Sequence, residues 1–286
     1  MAQTYPHRGE AAVRPPRMLK GLSSYYRKLD IRSFMTIIVG LCCENGVVIA
    51  SDSQQEFGRG VAVKRLNTGK IYVLDKRFAI AGAGLLAHIE KAVDAIEIGI
   101  REARKSKAGI DPNEDECVDA IEKSITAVYK EYNIDRSRFL GEPKEREFFK
   151  PILIVGYGAE NGESKSCLFI VHSEGLVEKV PDYATAGSGA AYAELLLKNY
   201  YGGQMTISEA IPLATYTIEE VKSIDPNCGG DTRIVTIDPK NGVRQLTKEE
   251  ISSLTGKSVS VLNVVARDLV PRILRGEIDD GQIRKL

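Results

Sequence analysis

The sequence lacks net charge. Its 39 Lys and Arg residues balance 39 Asp and Glu over 286 residues, which removes the broad positive field that a nucleic-acid-binding chain carries. It lacks an uninterrupted apolar run near the roughly 18 residues of a membrane helix. Its first residues lack the hydrophobic core of a signal peptide. Its five cysteines include no CxxC pair, and they are odd in number and irregularly spaced. That argues against a zinc site or a thioredoxin-like motif, and for buried free thiols in a reducing, cytoplasmic compartment. Internal repeats and low-complexity tracts are absent as well.

What is present is an ordinary globular composition, 43% hydrophobic and 27% charged, on a chain long enough for one large domain or at most two. The charge is unevenly placed. Residues 1–35 carry Arg8, Arg14, Arg17, Lys20, Arg27, Lys28 and Arg32 against Glu10 and Asp30. A basic head therefore precedes a mildly acidic body. Pro6, Pro15 and Pro16 interrupt helix formation in that head. Its composition fits a cleaved pro-segment, a transit-like segment or a flexible tail.

Order begins at residue 36. Ile37 to Leu41 is a continuous, largely β-branched run, as a buried strand shows. Asn45-Gly46 is a hairpin turn signal, and Val47 to Ala50 reads as the returning strand. The polar stretch Ser51 to Gly69 reads as a loop. Lys70–Leu74 and Arg77–Ala81 give two more short strands. Leu85, Ile89, Ala92, Ile96, Ile100 and Ala103 then recur at helical spacing, and Ile121, Ile125, Val128 and Tyr132 repeat the pattern. The charged residues 133–149 read as a loop. Ile152–Tyr157 and Leu168–His172 are strands around the turn at 160–162. A helix runs from near Ser188 to about Tyr200, and the next opens on a capping box, Thr206 with Glu209. Arg233–Ile237 is a strand, and Asn241-Gly242 a turn. Thr247 with Glu250 marks another helix start, and Val259–Leu274 reads as helical. Periodicity alone supports an α+β fold of mainly antiparallel strands. Two hairpin-rich sheets with helices outside satisfy it as a four-layer α-β-β-α sandwich.

Seven polar or small residues lie at ends of these elements: Thr36, Asp52, Lys70, Gly82, Ser188, Asp225 and Cys228. Their surroundings carry a resemblance. Thr36-Ile37-Ile38-Val39-Gly40 followed by Gly46 to Ser53 resembles the opening of a proteasome β subunit. Lys70-Ile71, then Ile80-Ala81-Gly82, continues the pattern. Ala186-Gly187-Ser188-Gly189 is similar to the family's Gly-Ser-Gly segment, and Asp225-Pro226-Asn227-Cys228-Gly229-Gly230 to its late Asp-x-x-Ser-Gly-Gly segment. Each motif alone is weak; five in order are specific, and they span residues 36 to about 238. The resemblance implies an N-terminal-nucleophile hydrolase domain over residues 36–286, with a C-terminal helical extension from about 247 and residues 1–35 removed from a zymogen.

The chemistry suits these residue types. A threonine hydroxyl is a poor nucleophile until a base takes its proton, and the α-amino group of a first-residue threonine can serve. Its pKa near 8 lies close to working pH. The resemblance implies that Thr36, exposed by cleavage after Met35, attacks a peptide bond of a polypeptide substrate. Lys70 then sits beside the hydroxyl, held by Asp52. The Gly82 N–H faces the developing oxyanion, and Ser188, Asp225 and Cys228 surround the α-amino group. Residues near Gln55, Tyr72, Ile80 and Gly84 line the primary pocket. His88 and His172 read as structural, since this chemistry needs no histidine. Neither metal nor organic cofactor is implied. Partners implied are other β-type subunits in a ring, with α-type subunits and an ATP-driven unfoldase.

Three departures stand out. Met35 occupies the place where the family often has Gly, Cys228 that of a Ser, and Ala190 that of a second Ser. Two other readings stay open: an inactive structural subunit that keeps its head, and a proteasome-like ligase or amidase whose acyl-enzyme is attacked by an amine.

Overall fold

The computed structural model describes residues 36–57, 64–67, 69–107, 109–135, 149–159, 165–264, 270–275 and 277. The expectations for the basic head 1–35, for most of the charged stretch 133–149 and for the turn at 160–162 lie outside these residues. In chain order the elements are β1 (Ile37–Cys43), β2 (Gly46–Ser51), β3 (Gln54–Phe57), β4 (Lys64–Asn67), β5 (Ile71–Val73), β6 (Phe78–Ala83), α1 (Leu86–Ser106), α2 (Glu114–Tyr129), β7 (Ile152–Ala159), β8 (Lys165–Val171), β9 (Val177–Val180), β10 (Tyr183–Gly187), α3 (Ala190–Tyr200), α4 (Ile207–Ile224), β11 (Arg233–Asp238), β12 (Gly242–Gln245), α5 (Lys248–Val264) and α6 (Val270–Leu274).

Two antiparallel five-stranded sheets carry the described residues. One has the order β10-β1-β2-β11-β12, the other β5-β6-β7-β8-β9. The continuous apolar runs in the sequence have a direct cause, because each central strand is buried on both faces. In the first sheet Ile37, Val39, Leu41, Val48, Ala50 and Ile234 turn outward into a core with α3, α4 and α5. The alternating residues Ile38, Val47, Ile49, Val235 and Ile237 turn inward against the second sheet. From the second sheet, Ala79, Ala81, Ile154 and Leu168 meet them, while Phe78, Ile80, Val155, Tyr157 and Phe169 face α1 and α2. Alternation at period two thus builds three apolar layers from two sheets. The result is the four-layer α-β-β-α sandwich.

Helix starts follow the capping signals. Thr206 and Glu209 bond reciprocally at the start of α4, and the Thr247 hydroxyl and Glu250 carboxylate do the same before α5. Asn113 with Glu116 caps α2 in the same way, a signal the helical spacing from Ile121 onward overlooks. A π-helical turn, Lys130–Asp135, extends α2, so the first residues of the expected loop are wound.

The structure corrects the reading in three places. Val177–Val180 and Tyr183–Gly187 are strands that the periodicity missed. They sit at the sheet edges, where charged and small residues suit exposure and blur alternation. Within the supposed loop Ser51–Gly69, β3 pairs with β4 as a hairpin. Gly242–Gln245 is a strand paired with β11. The helix start expected at Thr247 opens α5, which runs to Val264, and Val270–Leu274 is helical as read. Among the described residues, no helix is long and apolar enough to cross a membrane.

Candidate active site

Thr36 immediately precedes β1 and is 3% exposed. Strand β1 lies between β2 and β10, which brings residues before and after it to one end of the sheet. Ile38 pairs with Ser51, so Asp52 follows opposite Ile37 and next to Thr36; Ile37 pairs with Gly187, so Ser188 arrives opposite Thr36 from the other side. Residues remote in sequence meet because strand register leaves them no other place.

The hydroxyl side is tightly bonded. Thr36 Oγ1 donates to Asp52 Oδ1 at 2.9 Å, the Ile37 N–H donates to the same oxygen at 3.0 Å, and Lys70 Nζ reaches it at 2.7 Å. The other oxygen, Asp52 Oδ2, accepts the Gly229 N–H at 3.0 Å. Asp52 is fully buried and Lys70 is 4% exposed. Burial pushes the Lys70 ammonium below the usual lysine range, against the pull of the Asp52 carboxylate. A buried pair of this kind costs desolvation, and four donors on one carboxylate offset it.

The nitrogen side is looser. Thr36 N–H donates to Ser188 Oγ at 3.4 Å, and that hydroxyl also donates to the Thr36 carbonyl at 3.4 Å. The Gly189 N–H supports the same carbonyl at 3.2 Å. Ser188 Oγ lies 3.8 Å from Cys228 Sγ, and Cys228 donates to Asp225 Oδ2 at 3.5 Å. Asp225 therefore stands behind Cys228 in these contacts rather than beside Thr36. Its other oxygen folds the loop, accepting from the Asn227 backbone and side chain at 2.9 Å. Burial, with Asp52 and Asp225 nearby, pushes the Cys228 thiol up to about 12, so it is protonated at neutral pH.

Two glycines owe their identity to close approach. Gly187 has φ of +104°, and a Cβ there would meet the Thr36 carbonyl oxygen at 2.2 Å; only glycine lets β10 wrap the residue before β1. A Cβ on Gly82 would meet Ile89 of α1 at 2.3 Å. The Gly82 N–H donates to the Lys70 carbonyl at 3.1 Å, so this amide is engaged with the protein itself.

Of the remaining residues singled out, Tyr72 and Ile80 are cross-strand partners on β5 and β6. Ile80 is fully buried in the layer facing α1, with Tyr72 packed against it. Gly84 precedes α1, and the side chain of Gln55 lies outside the described residues. His88 packs between the rings of Tyr132 and Phe149, and His172 lies 3.4 Å from Glu178. The motifs contain Gly229 and Ile37 but do not disclose that the amides of both donate to Asp52. No group of three or more His, Cys, Asp and Glu among the described residues could hold a metal ion.

Comparison with known proteins places the chain in a family. The family model described as Proteasome subunit matches residues 35–237. Proteasome subunit beta 1 of Thermococcus sibiricus is 29% identical over 222 residues, covering 78% of this chain and 95% of that protein. Proteasome subunit beta of Methanocaldococcus vulcanius is 27% identical over 227 residues, with coverage of 79% and 91%.

Proposed function

The chain belongs to the proteasome subunit family, and from that premise we propose that it is a threonine-type endopeptidase working through an acyl-enzyme on Thr36. The observation that carries this reading is the buried array of the Thr36 hydroxyl, Asp52 and Lys70, bonded at 2.9 and 2.7 Å. A buried carboxylate and ammonium beside a buried hydroxyl are expensive to maintain as packing alone.

In the full chain the Thr36 nitrogen is an amide and has no basic lone pair. Cleavage between Met35 and Thr36 turns it into an amine with a pKa near 8, next to Ser188. The amine then takes the hydroxyl proton, Oγ1 attacks the scissile carbonyl, and the proton passes to the leaving amine. Water, activated by the same amine, releases the acyl group. Lys70 favours the developing alkoxide electrostatically, and Asp52 holds Lys70. Ser188, Cys228 and Asp225 orient the amine. A role for the Gly82 amide toward the oxyanion requires it to share its bond to the Lys70 carbonyl. The family supports a ring of β-type subunits, and the proposed partners extend to α-type subunits and an ATP-dependent unfoldase, with a polypeptide substrate and a cytoplasmic location.

A second reading, an uncut structural subunit, draws on the engaged Gly82 amide. Intact mass, N-terminal sequencing and a peptide-hydrolysis assay decide between them. A chain starting at Thr36, whose activity disappears in Thr36→Ala, is the result expected of the enzyme. An active preparation that retains residue 35 sinks the mechanism, and an inactive one that retains it favours the structural subunit. Adding an amine acceptor during the assay tells hydrolysis from acyl transfer by its products.

A further inference from the structure

The segments 52–54 and 226–229 are strapped together next to Thr36. The Ser53 and Gln54 N–H groups both donate to the Gly229 carbonyl, at 3.1 and 2.9 Å. The Gly229 N–H returns to Asp52 Oδ2 at 3.0 Å. The Gln54 side chain crosses over the strap, with Nε2 at 3.5 Å from the Pro226 carbonyl. Its amide end rests against Gly229, where an added Cβ would stand 2.3 Å from Gln54 Oε1. One residue from Gly229 is Cys228, which contacts Ser188 and Asp225.

We infer that Gln54 and Gly229 are positioning residues that lock the hydroxyl side and the nitrogen side of Thr36 to each other. Through its amide, Gly229 fixes the rotamer of Asp52, so that Oδ1 faces Thr36 and Lys70 while Oδ2 is occupied. Through the backbone it fixes the depth of Cys228, and so the reach of Cys228 toward Ser188. Gln54 closes the strap from outside, and a Cβ at 229 would require the amide end of its side chain to move off the strap. Neither residue touches the reacting atoms. The inference deepens the threonine-peptidase reading and rests on it.

The test is a double-mutant cycle in the full chain with Gln54→Ala and Gly229→Ala. Its readouts are kcat, KM and the alkaline limb of the kcat profile on a fluorogenic peptide, together with the urea midpoint. Because small misplacements of catalytic groups carry large rate effects, Gly229→Ala is expected to lower kcat by about tenfold or more with KM little changed. Its alkaline limb, which reports Lys70, shifts as the hold on Asp52 loosens. Gln54→Ala loses only a few-fold. The double variant regains most of the Gly229→Ala loss, because the colliding side chain is gone, and its alkaline limb returns toward that of the wild type. A Gly229→Ala chain as active as wild type, or a double variant no better than Gly229→Ala, overturns the inference. If the wild-type chain itself hydrolyses no peptide, the peptidase reading fails instead. The strap is then judged by the urea midpoints, where losses that fail to add support it and additive losses overturn it.

Discussion

The two sides of Thr36 are built to different tolerances. Around the hydroxyl, a fully buried carboxylate gathers four donors at 2.7 to 3.0 Å. Around the nitrogen, the contacts run from 3.4 to 3.8 Å and pass through a neutral thiol. Charge explains the contrast. Asp52 and Lys70 have lost their water and must be paired closely or not be there, whereas Ser188 and Cys228 lose little by a longer contact. The hydroxyl side is therefore assembled by folding, and the nitrogen side is left looser, which suits the proposed cleavage to a free amine.

The largest expected break is Thr36→Ala. It removes the proposed nucleophile and should lower peptide hydrolysis by at least about 10³-fold, with a modest drop in the urea midpoint from the loss of one of the four donors to Asp52; retained hydrolysis would falsify the role of Thr36. Next comes Asp52→Asn, which keeps shape but leaves Lys70 without its counter-charge. An unpaired buried charge costs about 3 kcal/mol or more, and lost proton-transfer geometry costs about 10²-fold in kcat. A variant as stable as wild type in urea would show that the tight side is dispensable. Smaller is Cys228→Ser, which strengthens the loose side by replacing a weak donor with a hydroxyl. It should change kcat by no more than a few-fold, upward, with stability nearly unchanged; a collapse of activity would mean that the thiol has a role of its own.

The pH response separates the sides with the least effect. Burial pushes the Cys42, Cys43 and Cys228 thiols up to about 12. Unfolded thiols lose their protons from about pH 8.5. The unfolded state thus binds fewer protons than the folded one between 8.5 and 12, and stability falls as pH rises through that window. Lys70 acts in the opposite sense. Its lowered folded value lets the native state shed a proton that the unfolded chain keeps up to about 10.4, so this group adds stability on the way up. Urea midpoints should therefore fall between pH 8 and 11, and fall more steeply in Lys70→Met. A midpoint that rises over that range contradicts the assignment. Native thiols should also resist alkylation at pH 8 and react promptly in urea.

Much of the sandwich was legible because its signals are local. Asn45-Gly46 turns β1 into β2, Thr206 and Glu209 open α4, and Ile89, Ala92, Ile96 and Ile100 mark the buried face of α1, although Leu85 falls just before it and is exposed. The strands β9 and β10 were not legible, since edge positions free their residues from alternation. The hairpin β3–β4 was hidden by polar residues. The candidate site was readable as a set of residues only through its resemblance, for Asp52 or Asp225 alone reads as a surface or turn residue. That Asp225 reaches Ser188 only through Cys228, and that the Gly82 amide already has a partner, has no counterpart in any motif.

By itself the sequence determined which stretches are buried on both faces, where hairpins turn and helices start, and which side chains are available for chemistry. It did so because burial and capping act over a few residues. The tertiary structure decided which of them meet. Thr36 and Ser188 are 152 positions apart, and Asp52 and Gly229 are 177 apart. Their contact is set by strand register and by the absence of a Cβ at Gly187, quantities that exist only once two sheets have closed on each other.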